Sequence, residues 1–371
     1  MLKIISTQSR DSDTEVVGKT KNMVNIERLQ QVRARKQEAL DPRIGIVTPE
    51  HNLLAGVQAE WMIRLLNAMY FKHGVSSNPD KVKDAIEVGE IRSWFAVRDD
   101  EPIAIASLIR NGDGSQELGR AASLDRQHGV GGLLMLMAGL DHFLNNDAPL
   151  VAEVRVATQF GGIPNGMATQ RNCFDHLGLI PHALIPAFHH GNPDRNELFA
   201  FSSSQEIEIS EKLFMPGDPA ALELLGSIVL PFAGLGWSSK QIGIGGSSHL
   251  DNGWEFVEDK PFGLVVPGGL NSSLESTVKR SEEQNSFTLI PIEMSPNMMG
   301  TVIGCMNEGF IPCGIDRNLG DKGHPILMLG KLREGAFLAP MQLKEDSIER
   351  VIANAMHRVG FEFRKSLKKS I

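Results

Sequence analysis

The chain has 371 residues, 37 basic and 45 acidic side chains and a formal net charge of -8. At about 150 residues per domain this length points to two domains and a short arm, and 42% hydrophobic against 22% charged residues excludes a wholly disordered chain. The acid excess argues against a generic nucleic-acid coat, the three cysteines (Cys173, Cys305, Cys313) are too few for a disulfide scaffold, and no run of about 18 apolar residues predicts a membrane span.

Residues 1 to about 20 are polar. From Met23 to Leu40 the spacing predicts an amphipathic helix, with Ile26, Leu29 and Val32 on one stripe and Arg28, Arg33, Arg35 and Lys36 giving it a basic side. That side is either solvated or a contact surface for an acidic or phosphate-bearing partner. Ile44 to Val47 reads as a strand, Leu53 to Phe71 and Asp80 to Val88 as helices. Trp94 to Val97 and Ile103 to Ile109 read as strands joined by the turn Asp99-Asp-Glu-Pro102. A strand over Glu117 to Leu124, a glycine-rich turn and an apolar helix over Gly132 to Leu144 follow. Next come a strand from Val151 to Ala157, a helix from about Met167 to Leu177, and strands over Leu179 to Ile185 and Glu197 to Phe201.

Ser202 to Glu206 reads as a linker. Beyond it the pattern predicts helices over Ala220 to Leu230, Ser272 to Arg280, Met298 to Glu308 and Ser347 to Val359. Strands are predicted over Phe262 to Val266, Phe287 to Met294, Phe310 to Ile315 and Pro325 to Lys331. Asn271 or Ser272 is the expected cap of the Ser272 helix. Gly243-Ile-Gly-Gly-Ser-Ser248 reads as a loop.

The two halves repeat a unit. Gly178-Leu-Ile-Pro-His-Ala-Leu184 follows a helix, and so does Gly309-Phe-Ile-Pro-Cys-Gly-Ile315. In each, glycine ends the helix and proline starts an extended strand. The matching order of strand, helix, string and strand points to duplication. The expected divisions are 1–42 (extension with the basic helix), 43–204 (first domain) and 205–371 (second domain).

The chemistry-bearing segment runs from Glu117 through Arg126-Gln-His-Gly129-Val-Gly131-Gly132 into the apolar helix. Closely spaced glycines let successive main-chain N–H groups point into one concavity, and a helix start adds its positive dipole end. A diphosphate is a natural guest. No Gly-Lys-Ser/Thr follows, so this is not a Walker loop, and the Rossmann spacing is absent.

The segment resembles the R/Q-x-x-G-x-G/A signature of the GCN5-related N-acetyltransferase (GNAT) superfamily, matched by Arg126, Gly129 and Gly131, and the element order over about residues 43 to 202 is similar to that fold. The resemblance implies an α/β (α+β) chain of two tandem GNAT-like domains, each a mixed, mostly antiparallel sheet flanked by helices. It implies acetyl-CoA or another acyl-CoA as co-substrate, bound by Leu124, Arg126 and the backbone of Gln127, His128, Gly129, Val130, Gly131, Gly132 and Leu133. The expected activity is transfer of the acyl group to the amine, hydroxylamine or hydroxyl of a small-molecule acceptor by direct attack on the thioester. Glu117 and Glu153 are the candidate bases.

One departure stands out. Phe174 takes the place of a tyrosine that serves many members as general acid, and phenylalanine has no proton to donate. Cys173 or water would replace it, unless the domain binds acyl-CoA without turning it over. Phe174, His182 and His189 are expected to line the acceptor pocket. His189 and His190 are adjacent on an extended segment and point to opposite faces, so no metal is expected. The second half has no counterpart of the glycine signature and is expected to lack a CoA site. A second reading of the tandem layout is an aminoacyl-tRNA-dependent transferase, with the basic helix and basic tail on RNA. A third is an acyl-CoA-responsive regulatory module. A cytoplasmic protein is expected, with no membrane partner, with nucleic acid a partner only if the donor is aminoacyl-tRNA, and with a homodimer compatible with the apolar second half.

Overall fold

A computed structural model describes residues 24–51, 53–69, 78–125, 129–157, 169–188, 196–205, 212–232, 242–245, 253–257, 263–268, 272–319 and 324–334. The first half contains α1 (Ile26–Glu38), β1 (Ile44–Val47), α2 (Ala55–Met69), α3 (Pro79–Glu87), β2 (Ile91–Arg98), β3 (Glu101–Arg110), β4 (Gln116–Ser123), α4 (Val130–Asn145), β5 (Leu150–Ala157), a π-helical turn (Arg171–His176), β6 (Ile180–Phe188) and β7 (Asn196–Ser203). The second contains β8 (Leu213–Met215), α5 (Pro219–Phe232), β9 (Ile242–Ile244), β10 (Trp254–Val257), β11 (Gly263–Pro267), α6 (Leu274–Gln284), β12 (Phe287–Glu293), α7 (Met299–Asn307), β13 (Ile311–Leu319) and β14 (Pro325–Leu332). The fold is mixed α/β, with two half-sheets of like design.

The halves join into one 12-stranded sheet, ordered β1-β2-β3-β4-β5-β7-β6-β13-β14-β12-β11-β10. From β3 to β10 the order is symmetric about the β6–β13 seam, and β1 and β2 extend the first half beyond it. On each side an antiparallel pair (β3–β4, β10–β11) is followed by one parallel pair (β4–β5, β11–β12) and then by antiparallel strands. The duplicated string explains the seam. Gly178 (φ 65) and Gly309 (φ 86) end their helical segments left-handed. Pro181 and Pro312 cannot donate to a ladder, and a register shift follows each, before Ala183 and before Gly314. Those two equivalent residues then pair with each other across the seam. Gly314 has φ 141, and a Cβ there would lie 2.3 Å from Ala183 Cα, so only glycine admits this approach.

Three clusters of buried side chains hold the layers. One lies between the sheet and α1 and α4, with Leu29, Leu118, Leu134 and Leu150. One lies under α2 and α3, with Met62, Phe95 and Ile105. The third supports the second half through Leu225, Phe310 and Leu329. Among the described residues, no helix is long and apolar enough to cross a membrane.

Several expectations change. The helix expected near Met167 to Leu177 is present and is π-helical over Arg171–His176, with Leu177 N donating to Asn172 O at 2.9 Å. Ser202 and Ser203 are buried in β7 rather than in a linker. The α6 cap is Ser273, not Asn271 or Ser272. Gly243 and Ile244 belong to β9 rather than a loop. Strands β8, β9 and β10 were not expected from the sequence. The helix over Ser347 to Val359, the basic tail, His189 and His190 lie outside the described residues.

Candidate active site

Strands β4 and β5 run parallel for two register pairs, Gln116↔Leu150 and Glu117↔Val151, and share none beyond them. A V-shaped gap therefore opens just after Glu117. Its closed end is bolted by buried His142 of α4. Its Nε2 lies 2.9 Å from Ala148 O, and its Nδ1 lies 2.7 Å from Gln116 Oε1. Burial, the main cause, lowers this imidazole's pKa.

Past the vertex, β4 bulges. Gly119 pairs with Ser107 and Ala122 with Ile105, so β4 spends one residue more than β3. Arg120 sits in this bulge with φ 46, and its Nη1 reaches Met62 Sδ on α2 at 3.1 Å.

Glu117 stands at the vertex, partly buried. Burial first, and then the charge of Glu153, push its carboxyl up to about 7, with Arg120 pulling the other way. Glu153 lies two residues beyond Glu117's register partner Val151, on the same face. It is exposed. The structure thus brings the two carboxylates predicted from sequence to one place, one sheltered and one wet. A carboxyl with a pKa near neutrality can hold or release a proton at working pH.

At the open end, the chain enters α4 through Gly129, which is exposed and left-handed with φ 64. No side chain caps α4, and no acidic residue lies in its first turn. Among the described residues its first amides have no intrahelical or side-chain capping partner, and the positive dipole end lies at exposed Gly129. The strand leading there is anchored: Ser123 Oγ donates to Asp125 O at 2.8 Å, and Arg98 Nη1 lies 3.2 Å from Asp125. Leu124 is 45% exposed beside this entrance. Val130 and Leu133 are buried and present only main chain to the site. Arg126, Gln127 and His128 lie outside the described residues.

Two expected residues, His182 and Cys173, take other places. His182 is buried in β6, and its Nδ1 lies 2.8 Å from Ile315 O of β13, so it ties the seam instead of lining a pocket. Cys173 is buried in the first cluster, and burial pushes its thiol up to about 12. A group so disfavoured from ionising, in apolar surroundings, is not an acid for catalysis. Phe174 is half-buried against the same cluster. Sequence reasoning missed Asn172 and undervalued Lys36, which reach the first turn of α4.

No protein-family model matches the chain, and no curated relative matches it. Solved structures do align with parts of it. One from Desulfovibrio desulfuricans, described as a GNAT-family acetyltransferase, is 18% identical over 44% of this chain and 99% of its own, with a TM-score of 0.31. The aminoglycoside 6'-N-acetyltransferase from Enterococcus faecium is 14% identical over 43% of this chain and 97% of its own, TM-score 0.31. A tandem GNAT protein from the clavulanic acid biosynthesis pathway is 14% identical over 40% of this chain and 50% of its own, TM-score 0.28.

Proposed function

We propose that the first half is an acyl-CoA-dependent N-acyltransferase site acting on a small-molecule amine. The observation that carries this reading is the joining of three features in one gap. A carboxyl tuned to about 7 stands at the vertex, parallel strands part beyond it, and an uncapped helix start lies at the mouth. The start of α4 suits a diphosphate. The unpaired main chain between β4 and β5 suits an extended pantetheine arm, which carries its own amide donors and acceptors.

The chemistry then follows from position. Glu117 and its neighbours on β4 alternate in facing. Leu118, beside Glu117, joins the cluster under α4, so by alternation Glu117 faces the α2 side, opposite the helix proposed to hold the diphosphate; the bulge after Gly119 turns Arg120 to α2 as well. Donor and acceptor enter from opposite faces and meet in the gap, where positioning contributes much of the rate. Ionised Glu117 takes a proton from the incoming ammonium, directly or through water. The amine nitrogen forms a bond to the thioester carbon, main-chain N–H groups of the gap stabilise the oxyanion, and the C–S bond breaks. With Phe174 and Cys173 unfit as acids, the nitrogen's second proton passes through water to the departing thiolate, which leaves as the thiol.

Calorimetric titration with acetyl-CoA and longer acyl-CoAs, followed by thiol release in the presence of an amine panel, tests the reading. Binding together with amine-dependent thiol release is expected. Binding with no turnover for any amine would favour the regulatory alternative, and no binding would end the reading.

A further inference from the structure

Strand β4 carries a second charged side chain on the face that Glu117 presents to α2. In a regular strand, positions 117 and 120 would point to opposite sides. The bulge sets Arg120 and Ala121 against Ala106 alone, and this extra residue brings Arg120 round to α2. Its φ of 46 is a left-handed conformation that side-chain-bearing residues seldom adopt and that recurs at ligand sites.

Gly119 shapes the space between the two charges. Positions 117 and 119 share a face, and a Cβ on Gly119 would lie 2.6 Å from Glu117 Oε1. The missing side chain thus lets the Glu117 carboxyl lie along β4 toward the bulge. Arg120 stands at the far end of that space, and each of the two feels the other's charge.

The Arg120 guanidinium is short of acceptors. It has five N–H donors. Among the described residues its one hydrogen bond runs from Nη1 to the Met62 thioether at 3.1 Å, and it forms no ion pair. Thioether sulfur is a weak acceptor, and Met62 is itself fully buried. Arg120 is only partly buried, so a ligand on the α2 side can reach its other donors. Burial, opposed by Glu117, draws its pKa down. A partly desolvated guanidinium gains most from a carboxylate, whose two oxygens match its fork. Glu117 and Glu153 repel a second negative charge nearby, which disfavours a phosphate dianion and admits a carboxylate monoanion.

Carboxylates at the vertex and a guanidinium past it are the complement of a zwitterion. We propose that the acceptor is an amine that also carries a carboxylate, an amino acid or a close relative, its carboxylate held by Arg120 and its amino group presented to Glu117. Arg120 is then a specificity-determining residue, and this role rests on the acyl-transfer reading above.

The test measures thiol release from acetyl-CoA with a panel of free amino acids and with the matching carboxamides, which keep the amine and lose the negative charge. Calorimetry follows acetyl-CoA binding alongside. Wild type is expected to prefer the best acid over its carboxamide by about a hundredfold in kcat/KM, the scale of a charge-assisted pair. Arg120→Gln should lose that preference, chiefly through KM for the acid, while its turnover of the carboxamide and its acetyl-CoA affinity stay near wild type. Arg120→Lys, which keeps the charge and loses the fork, should fall between. Turnover of amines with no preference for the acid overturns the proposal and leaves the acyl-CoA reading standing. A preference that survives Arg120→Gln overturns it too, as does an equal loss on acid and carboxamide, the mark of a structural arginine. Should Arg120→Gln fail to fold, Arg120→Lys decides: a reduced preference supports the proposal and an undiminished one overturns it. Wild type that binds no acetyl-CoA, or releases no thiol with any amine, ends the acyl-transfer reading and this inference with it.

Discussion

The two halves of the sheet differ where their parallel strands part. In the first, Glu117 pairs with Val151 at the vertex; in the second, the equivalent pair is Leu264 with Leu289, both buried. The closed end is polar and helix-tied in each, His142 to Gln116 in one and Ser281 to Thr288 at 2.8 Å in the other. The helix starts differ as sharply. α4 begins behind left-handed Gly129 with no cap and no acid, whereas Ser273 caps α6 by accepting from Ser276 N, and Glu275 occupies its first turn. Ser273 satisfies one amide of the helix start, and Glu275 answers its dipole. Trp254 of β10 is tied over this start, its N donating to Ser272 O at 3.1 Å. One scaffold therefore presents an uncapped helix start in the first half and a capped one in the second.

Substitutions can break or sharpen this contrast. The largest effect is expected at the seam on which both halves depend. Gly314→Ala puts a Cβ against Ala183 at a positive φ, and should cost about 4 kcal/mol in urea unfolding. Ala183→Gly, at the equivalent position, should cost only about 1 kcal/mol.

Next comes the vertex. Glu117→Gln should lower turnover by at least about a hundredfold and remove a rise in activity centred near pH 7, read from kcat against pH. Stability should respond too. A carboxyl whose folded pKa of about 7 lies above its unfolded value holds its proton more tightly when folded. Stability therefore falls as pH rises from about 4.5 through 7, by up to about 3 kcal/mol. Glu117→Gln should flatten that decline.

Smaller effects follow at the helix starts. Leu124→Glu, on an exposed side chain, should weaken acetyl-CoA binding by about tenfold at low salt, and by less as salt is added. Ser273→Ala should cost about 1 kcal/mol of stability and leave acetyl-CoA affinity unchanged. A loss of affinity there would place ligand chemistry in the second half and erase the contrast.

Local rules made much of this legible. Glycine after a helix and proline at a strand start have backbone consequences that need no partner, so Gly178–Pro181 and Gly309–Pro312 announced the duplication. Gly129 followed by an apolar helix announced the uncapped start in the same way. What local pattern could not supply was pairing. That the halves share one sheet depends on Gly314 meeting Ala183, 131 positions apart in sequence. Three-residue β8 and β9 have too few alternations to read. His182 looked polar and available, but Ile315 O claims it from the other half. Lys36 was counted on a basic face because its place on the Leu29 stripe matters only once α4 lies beneath it. The π-helical turn has no sequence signature, and it brings Asn172 beside Gly132 of α4.

Solving the structure with acetyl-CoA bound tests the central contrast most directly. The expected result is one coenzyme per chain, its diphosphate on the amides at Gly129 to Gly132 and its thioester beside Glu117 in the β4–β5 gap. A coenzyme on the start of α6, or one that leaves the first gap empty, would contradict it.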